Sequence, residues 1–167
     1  MGHVACAWHA RLRGLWLAAL LLTLLCGCAS PRGAMTPGAH WQGRLALKVY
    51  SEPVQALSAN FELQGAPDAG ELTLSSSLGT TLARLRWDGQ AATLQANGQV
   101  QQFASLALLA RHVTGTDVPV ASLFAWLRGD AEVVAGWDVD VHAIDQGRLL
   151  ARRTEGVAAD LKIILER

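Results

Sequence analysis

Two cysteines separated by a single residue, in Leu24-Leu25-Cys26-Gly27-Cys28-Ala29-Ser30, form the most reactive pair in the sequence. Thiolates at such spacing can hold a soft metal, enter a disulfide or carry a covalent modification, and their surroundings decide which. The only other cysteine is Cys6. The remaining side chains capable of chemistry are dispersed: His40, His112 and His142 fall in three different segments, and Ser75-Ser76-Ser77 stands between two apolar runs as a turn would. His112 closes a helical pattern, where a histidine complements the helix C-terminus. No H-E-x-x-H, phosphate-cradling glycine loop, G-x-S-x-G elbow or carboxylate cluster is present. The sequence predicts no catalytic residue, no metal site and no enzyme.

The residues before the cysteine pair settle its reading. Met1 to Arg13 carries Arg11 and Arg13 without an acidic residue, and Leu15 to Leu25 is almost entirely Leu, Ala and Trp. A basic stretch followed by eleven apolar residues, short of the roughly 20 needed to span a bilayer, is the pattern of an export signal. Its end resembles the bacterial lipobox, in which a branched apolar residue and two small residues precede a lipidated cysteine. Gly27 fits the small position beside the cut; were Cys26 the lipidated residue, Leu25 would stand there and fit badly. Cys28 is therefore the expected lipid anchor, bearing an N-acyl diacylglyceryl group, and Cys26 departs from the usual Ala, Ser or Thr. Residues 1–27 are then a removed signal peptide that takes Cys6 and Cys26 with it, so neither a disulfide nor a cysteine metal site remains.

Loss of Arg11 and Arg13 leaves 12 basic and 14 acidic residues in a mature chain of 140, a net charge of −2. That length suits one domain, and no basic field points to nucleic acid. Residues 28–40 read as the lipidated cysteine and a flexible tether, since "ASPRGAMTPGA" is rich in Pro, Gly and Ala; eleven such residues reach about 15–20 Å. The folded domain is expected over 41–167, as a monomer.

Within it the period is two. Leu45, Leu47 and Val49 share one face, as do Leu57, Ala59, Phe61 and Leu63, with Ser58, Asn60 and Glu62 opposite. Leu72 and Leu74, then Ala83, Leu85 and Trp87 against Arg84 and Arg86, continue the pattern, and Asn97-Gly98 is a hairpin turn. Two helices interrupt the strands. One runs from Ser105, an N-cap, to Thr114 with Gly115 as its stop; the other is expected from Asp117, with Pro119 in its first turn, through Val120, Leu123, Phe124 and Leu127 to Gly129. Strands resume at Trp137, Val139 and Val141, at Leu149 and Ala151 after an Asp145-Gln146-Gly147 turn, and in "LKIILER". Arg152 and Arg153 are expected to meet Asp138 or Asp140 across the sheet.

The order and spacing of Gly43-Arg44-Leu45-Ala46-Leu47, Ser58-Ala59-x-Phe61, Glu71-Leu72-x-Leu74, Leu78-Gly79, Leu82-Ala83, Val118-Pro119-Val120 and Trp126-Leu127-x-Gly129 resemble the LolB family. The resemblance covers most of the mature chain. Leu63 stands where relatives often have Trp, Ser77 where they often have Pro, and only 38 residues follow Gly129, which suggests fewer closing strands and a shallower cavity.

The resemblance implies a mainly β fold, an open antiparallel half-barrel with helices covering its apolar concave side. It also implies an outer-membrane lipoprotein that accepts client lipoproteins from the periplasmic carrier LolA and inserts them into the membrane, without a cofactor. Leu47, Phe61, Leu63, Leu72, Leu74, Leu85, Trp87 and Trp126 would line a cavity for acyl chains, and Leu78 would sit on a protruding loop that delivers the client. Ala29 after the cysteine agrees, because Asp there is the usual inner-membrane retention signal in that pathway. On periodicity alone a solid core is the simpler reading, since an empty apolar cavity is costly. The alternative function is a structural or assembly lipoprotein whose sheet packs on an envelope partner, and a one-residue slip of register would turn every side chain to the other face.

Overall fold

Residues that alternate apolar and polar become strands when one face can be buried, and nine segments do so here. The computed structural model describes residues 38–166. Its strands are β1 (Ala39–Val49), β2 (Gln55–Gly65), β3 (Gly70–Ser75), β4 (Thr81–Trp87), β5 (Ala92–Ala96), β6 (Gln99–Phe103), β7 (Trp137–Asp140), β8 (Arg148–Arg153) and β9 (Ala159–Leu165). They form one antiparallel sheet in the order β6-β5-β4-β3-β2-β1-β9-β8-β7, open between β6 and β7. The fold is mainly β, as expected, and three strands follow Gly129. β1 begins at Ala39, so His40, expected in the tether, lies in a strand, with Nε2 3.0 Å from Glu62 Oε1. Cys28, the signal peptide and most of the tether fall outside the described residues.

The register gives the sheet two unlike rims. Ala39 pairs with Gly65, Gly65 with Gly70 and Gly70 with Trp87, so the turns 66–69 and 88–91 share the rim at which the described chain starts, the proximal rim. Val49 pairs with both Gln55 and Ala159, and Ser75 with Thr81, so the turns 50–54, 76–80 and 154–158 share the opposite, distal rim. The Asn97-Gly98 turn is there too, with both residues at positive φ (52° and 74°).

Helix α1 (Leu106–Thr114) follows β6 and ends beside Gln55 at the distal rim. The Ser105 hydroxyl accepts the Leu108 N–H at its start, and Gly115, at φ 70°, donates its N–H to Arg111 O at its end, so both caps read from the sequence are present. The second helix is shorter than expected: α2 is only Leu123–Trp126. Val118 precedes a proline and is held from helical geometry, while the Asp117 side chain is drawn to two arginines. Helical turns begin from Pro119, whose carbonyl accepts the Ser122 and Leu123 N–H groups, and end at Gly129 (φ 92°). Phe124 on α2 meets Trp41 and Trp87 edge to face, at 5.7 and 6.1 Å between ring centroids.

Candidate functional site

The helices cover an apolar sheet face, and between them a void of about 60 Å³ remains. Its floor is Leu47, Phe61, Leu63, Leu72, Leu74 and Leu85, six of the eight side chains expected in a cavity, joined by Leu45 and Leu57. Its roof is Ala110, Val113 and Thr114 of α1 with Val118, Val120 and Leu123 of the segment that follows, and Leu161 and Ile163 of β9 close one side. The wall presents no polar surface: the Thr114 hydroxyl is turned to Ala110 O and Thr116 O, each at 2.8 Å.

Trp87 and Trp126 are buried but stand off this wall. Each indole N–H needs an acceptor, and these are peripheral carbonyls, Ala66 O at 3.2 Å and Glu132 O at 2.9 Å. Their rings pack instead against Phe124 and Trp137. The β9 and α1 contributions were not named from the sequence, although the alternation of Leu161 and Ile163 and the helical spacing of Ala110 and Val113 carry the signal.

At the distal end a cleft of about 190 Å³, bounded by Val49, Gln55 and Ala56, shares Leu47, Leu57, Val113 and Thr114 with the void. The cover is tied there by Asp117. Its Oδ1 accepts from Arg111 Nε at 2.6 Å, its Oδ2 from Arg153 Nη2 at 3.3 Å, and its carbonyl from Trp137 Nε1 at 3.0 Å; Arg153 also donates to the Thr116 hydroxyl. The Arg111 hydrogen bond, reinforced by the charges of Arg111 and Arg153, holds the Asp117 carboxyl below the usual carboxylate range. The arginine pairings differ from those expected: Arg153 reaches Asp117, and Arg152 pairs with Asp160 at 2.9 Å. Asp138 and Asp160 both lie opposite Arg152, and Asp160 is the one the Tyr50 hydroxyl also holds, at 2.9 Å.

Leu78 tops the β3–β4 turn and is 93% exposed. Ser76 closes the turn beneath it: its N–H donates to Thr80 O, its carbonyl accepts from Gly79, and its hydroxyl accepts from Thr80 N–H at 3.2 Å. Gly79, at φ 84°, supplies the backbone conformation the turn needs.

The three histidines do not converge. His40 meets Glu62, His142 Nδ1 lies 2.9 Å from Asp140 Oδ1, and His112 packs on Phe103 at 5.1 Å. What the geometry offers is an apolar void bordered at its distal end by the polar cluster around Asp117.

Residues 39–160 match the family profile described as "Outer membrane lipoprotein LolB". The chain is 35% identical to the outer-membrane lipoprotein LolB of Bordetella petrii, over 93% of this chain and 79% of that protein. It is 32% identical to the protein of the same name in Shewanella baltica, over 68% of this chain and 56% of the relative, and 32% identical to that of Chromobacterium violaceum, over 65% and 64%. The match thus spans just over half the length of the Shewanella relative and most of the Bordetella one. With its motifs, its open sheet and this match in agreement, the chain belongs to the LolB family, outer-membrane lipoproteins of the Lol pathway and not enzymes.

Proposed function

We propose that this protein, cleaved after residue 27 and anchored through a lipid on Cys28, receives lipoproteins from the periplasmic carrier LolA and passes them into the outer membrane. The observation that carries the reading is the wholly apolar void beneath α1, opening toward a cleft at the distal rim. A void of about 60 Å³ has room for only about two water-sized groups, so acyl chains enter by displacing the cover rather than by filling a ready pocket. The floor residues then line the opened cavity, with Leu78 as the delivery residue. Each 1.4 kcal/mol of difference between carrier and receptor shifts the client tenfold, and the bilayer, at about 0.8 kcal/mol per methylene buried, is the final sink without nucleotide or cofactor.

The small volume favours one other reading, a solid-cored structural lipoprotein that binds an envelope partner. Native mass spectrometry of the protein mixed with LolA loaded with a lipoprotein separates the two. Receipt of the client is expected; a folded protein that takes none would support the structural reading.

A further inference from the structure

Exposed apolar side chains are unevenly distributed between the two rims. Among the described residues ten large hydrophobic side chains are exposed: Tyr50, Val54, Leu78, Leu82, Val100 and Val157 lie in or within two residues of the distal turns, while Leu108 is on α1, Val133 precedes β7, and Leu150 and Ile164 are on β8 and β9, Ile164 opposite Arg148 toward the proximal end. The proximal turns 66–69 and 88–91 and the connection 141–147 carry no exposed large hydrophobic residue. Val54 is 57% exposed and Val157 40%. Their turns are joined, because Tyr50 N–H donates to Ala158 O at 2.9 Å. Tyr50 is half exposed, with its hydroxyl held by Asp160 and Lys48 Nζ 4.7 Å from its ring centroid.

The sheet order fixes how these groups line up. Turns 76–80, 50–54 and 154–158 follow one another along the rim, each two strands from the next, an interval of about 10 Å at the usual strand spacing. A row that long, whose charged turn residues are the exposed Glu52 and Glu155 and which has no basic cluster, suits contact of its apolar side chains with the acyl boundary of a bilayer better than an electrostatic contact with anionic headgroups.

The chain before the described domain brings a bilayer within reach. Nine residues lie between Cys28 and Gly38, ten steps along the chain with a contour of about 33–36 Å, and β1 with its 11 residues is about as long. At full extension, well beyond its r.m.s. reach of about 15–20 Å, the tether lets a membrane that holds Cys28 be met by the distal rim even though it leaves from the proximal one. The cleft that adjoins the void also opens at the distal rim, so chains leaving the void emerge there.

We propose that the distal rim is the bilayer-facing surface of this protein, on which Val54 and Val157 insert beside Leu78 as two further membrane contacts. The inference deepens the delivery role proposed for Leu78 and rests on it. It makes insertion a three-point contact that fixes the orientation of the domain, with the cleft directed at the membrane. Withdrawing one such side chain is expected to shorten membrane residence about tenfold.

The test is photocrosslinking of the full chain reconstituted in vesicles of phosphatidylethanolamine and phosphatidylglycerol. Benzoylphenylalanine is placed in turn at Val54, Leu78, Val157 and, on the proximal rim, Asp88. Lipid adducts at the first three and few at Asp88 are the expected result. Adducts at Leu78 alone would overturn the rim contact and leave the Leu78 role standing, whereas no lipid at any of the three would overturn both. Protein adducts at Val54 and Val157, marking a second copy or another partner, would overturn the bilayer as occupant, as would adducts at Asp88 equal to those at Val54. Independently, Val54→Glu with Val157→Glu should slow client release into the same vesicles at least tenfold while acceptance from LolA is unchanged; unchanged release would also refute the proposal.

Discussion

Ala110 on α1 is 2% exposed and faces the void, so Ala110→Val asks whether that space is what the client uses. At about 24 cal/mol per Å³, a void of 60 Å³ withholds about 1.4 kcal/mol from the closed domain. Valine adds two carbon atoms, close to what the space holds. Its β-branch costs about 0.6 kcal/mol in a helix, leaving a net gain of about 0.8 kcal/mol. For a domain of this size that raises the thermal midpoint by about 2–4 °C. The helix-propensity cost is the same whether the cover is closed or open, so the full gain of about 1.4 kcal/mol favours the closed cover, and the equilibrium share of client taken from LolA should fall about tenfold. Leu108→Val, at an exposed position of the same helix, carries a similar propensity cost without filling anything, and should lower the midpoint slightly and leave transfer alone. Circular dichroism reads the midpoint, and native mass spectrometry reads the transfer. A higher midpoint with undiminished transfer would refute entry beneath α1, and a lower midpoint would show that the space does not accept a side chain.

Three further outcomes are expected. Leu78→Glu should leave folding intact, since the side chain is almost fully exposed, and leave acceptance from LolA intact while slowing release into liposomes; Leu78→Ile and Leu78→Phe should do little, and an unfolded Leu78→Glu variant would make Leu78 a structural residue. Cys28→Ala should abolish lipidation while Cys26→Ala is processed normally, as read by mass spectrometry of the N-terminal peptide; lipid on a peptide beginning at Cys26 would reverse the assignment. Asp117 is held below the usual carboxylate range by its arginines, and Asp160 chiefly by Arg152 and then Tyr50, so the stability they contribute is complete above the unfolded value near pH 4 and is lost as pH falls through the lower folded values. Binding of an apolar fluorescent dye should therefore rise with acid in the native chain and be raised already at pH 7 in Asp117→Asn.

The strands were legible because each needs only its own alternation: Leu45, Leu47 and Val49 or Phe61 and Leu63 announce a buried face without reference to any neighbour. The caps at Ser105 and Gly115 and the Asn97-Gly98 turn were legible for the same local reason. What depended on distant partners was not. The early part of the second expected helix is irregular because Asp117 is claimed by Arg153 from β8 as well as Arg111 from α1, a contact 36 residues away in sequence. Trp87 and Trp126 carried the hydrophobicity of cavity residues, yet their N–H groups drew them to carbonyls at the edge. Of the two aspartates opposite it, Arg152 takes Asp160, which also accepts from Tyr50, 102 positions before Arg152, a convergence that local pattern does not reveal. Within the site, periodicity marked the face to which most of the floor residues belong, and only the family resemblance suggested a cavity there; the size of the void was beyond both, because volume follows from how closely α1 settles on the sheet.

The helical cover is fixed unequally at its two ends. Near the proximal rim, Phe124 is wedged between Trp41 and Trp87, a junction of apolar rings that added salt does not weaken. At the distal rim the cover depends heavily on bonds to Asp117, whose side chain is about half exposed, as is that of Arg111, and whose charges are screened by salt. The cover is thus fixed by aromatic rings at one end and by ion pairs at the other, so its distal end is the one that added salt weakens first. Its opening rate should climb with ionic strength while the midpoint of global unfolding barely moves, because the aromatic rings and the sheet, not the ion pairs, carry the stability. If the client passes beneath this cover as proposed, it leaves at the distal end, at a rate that responds to salt far more than the fold as a whole does.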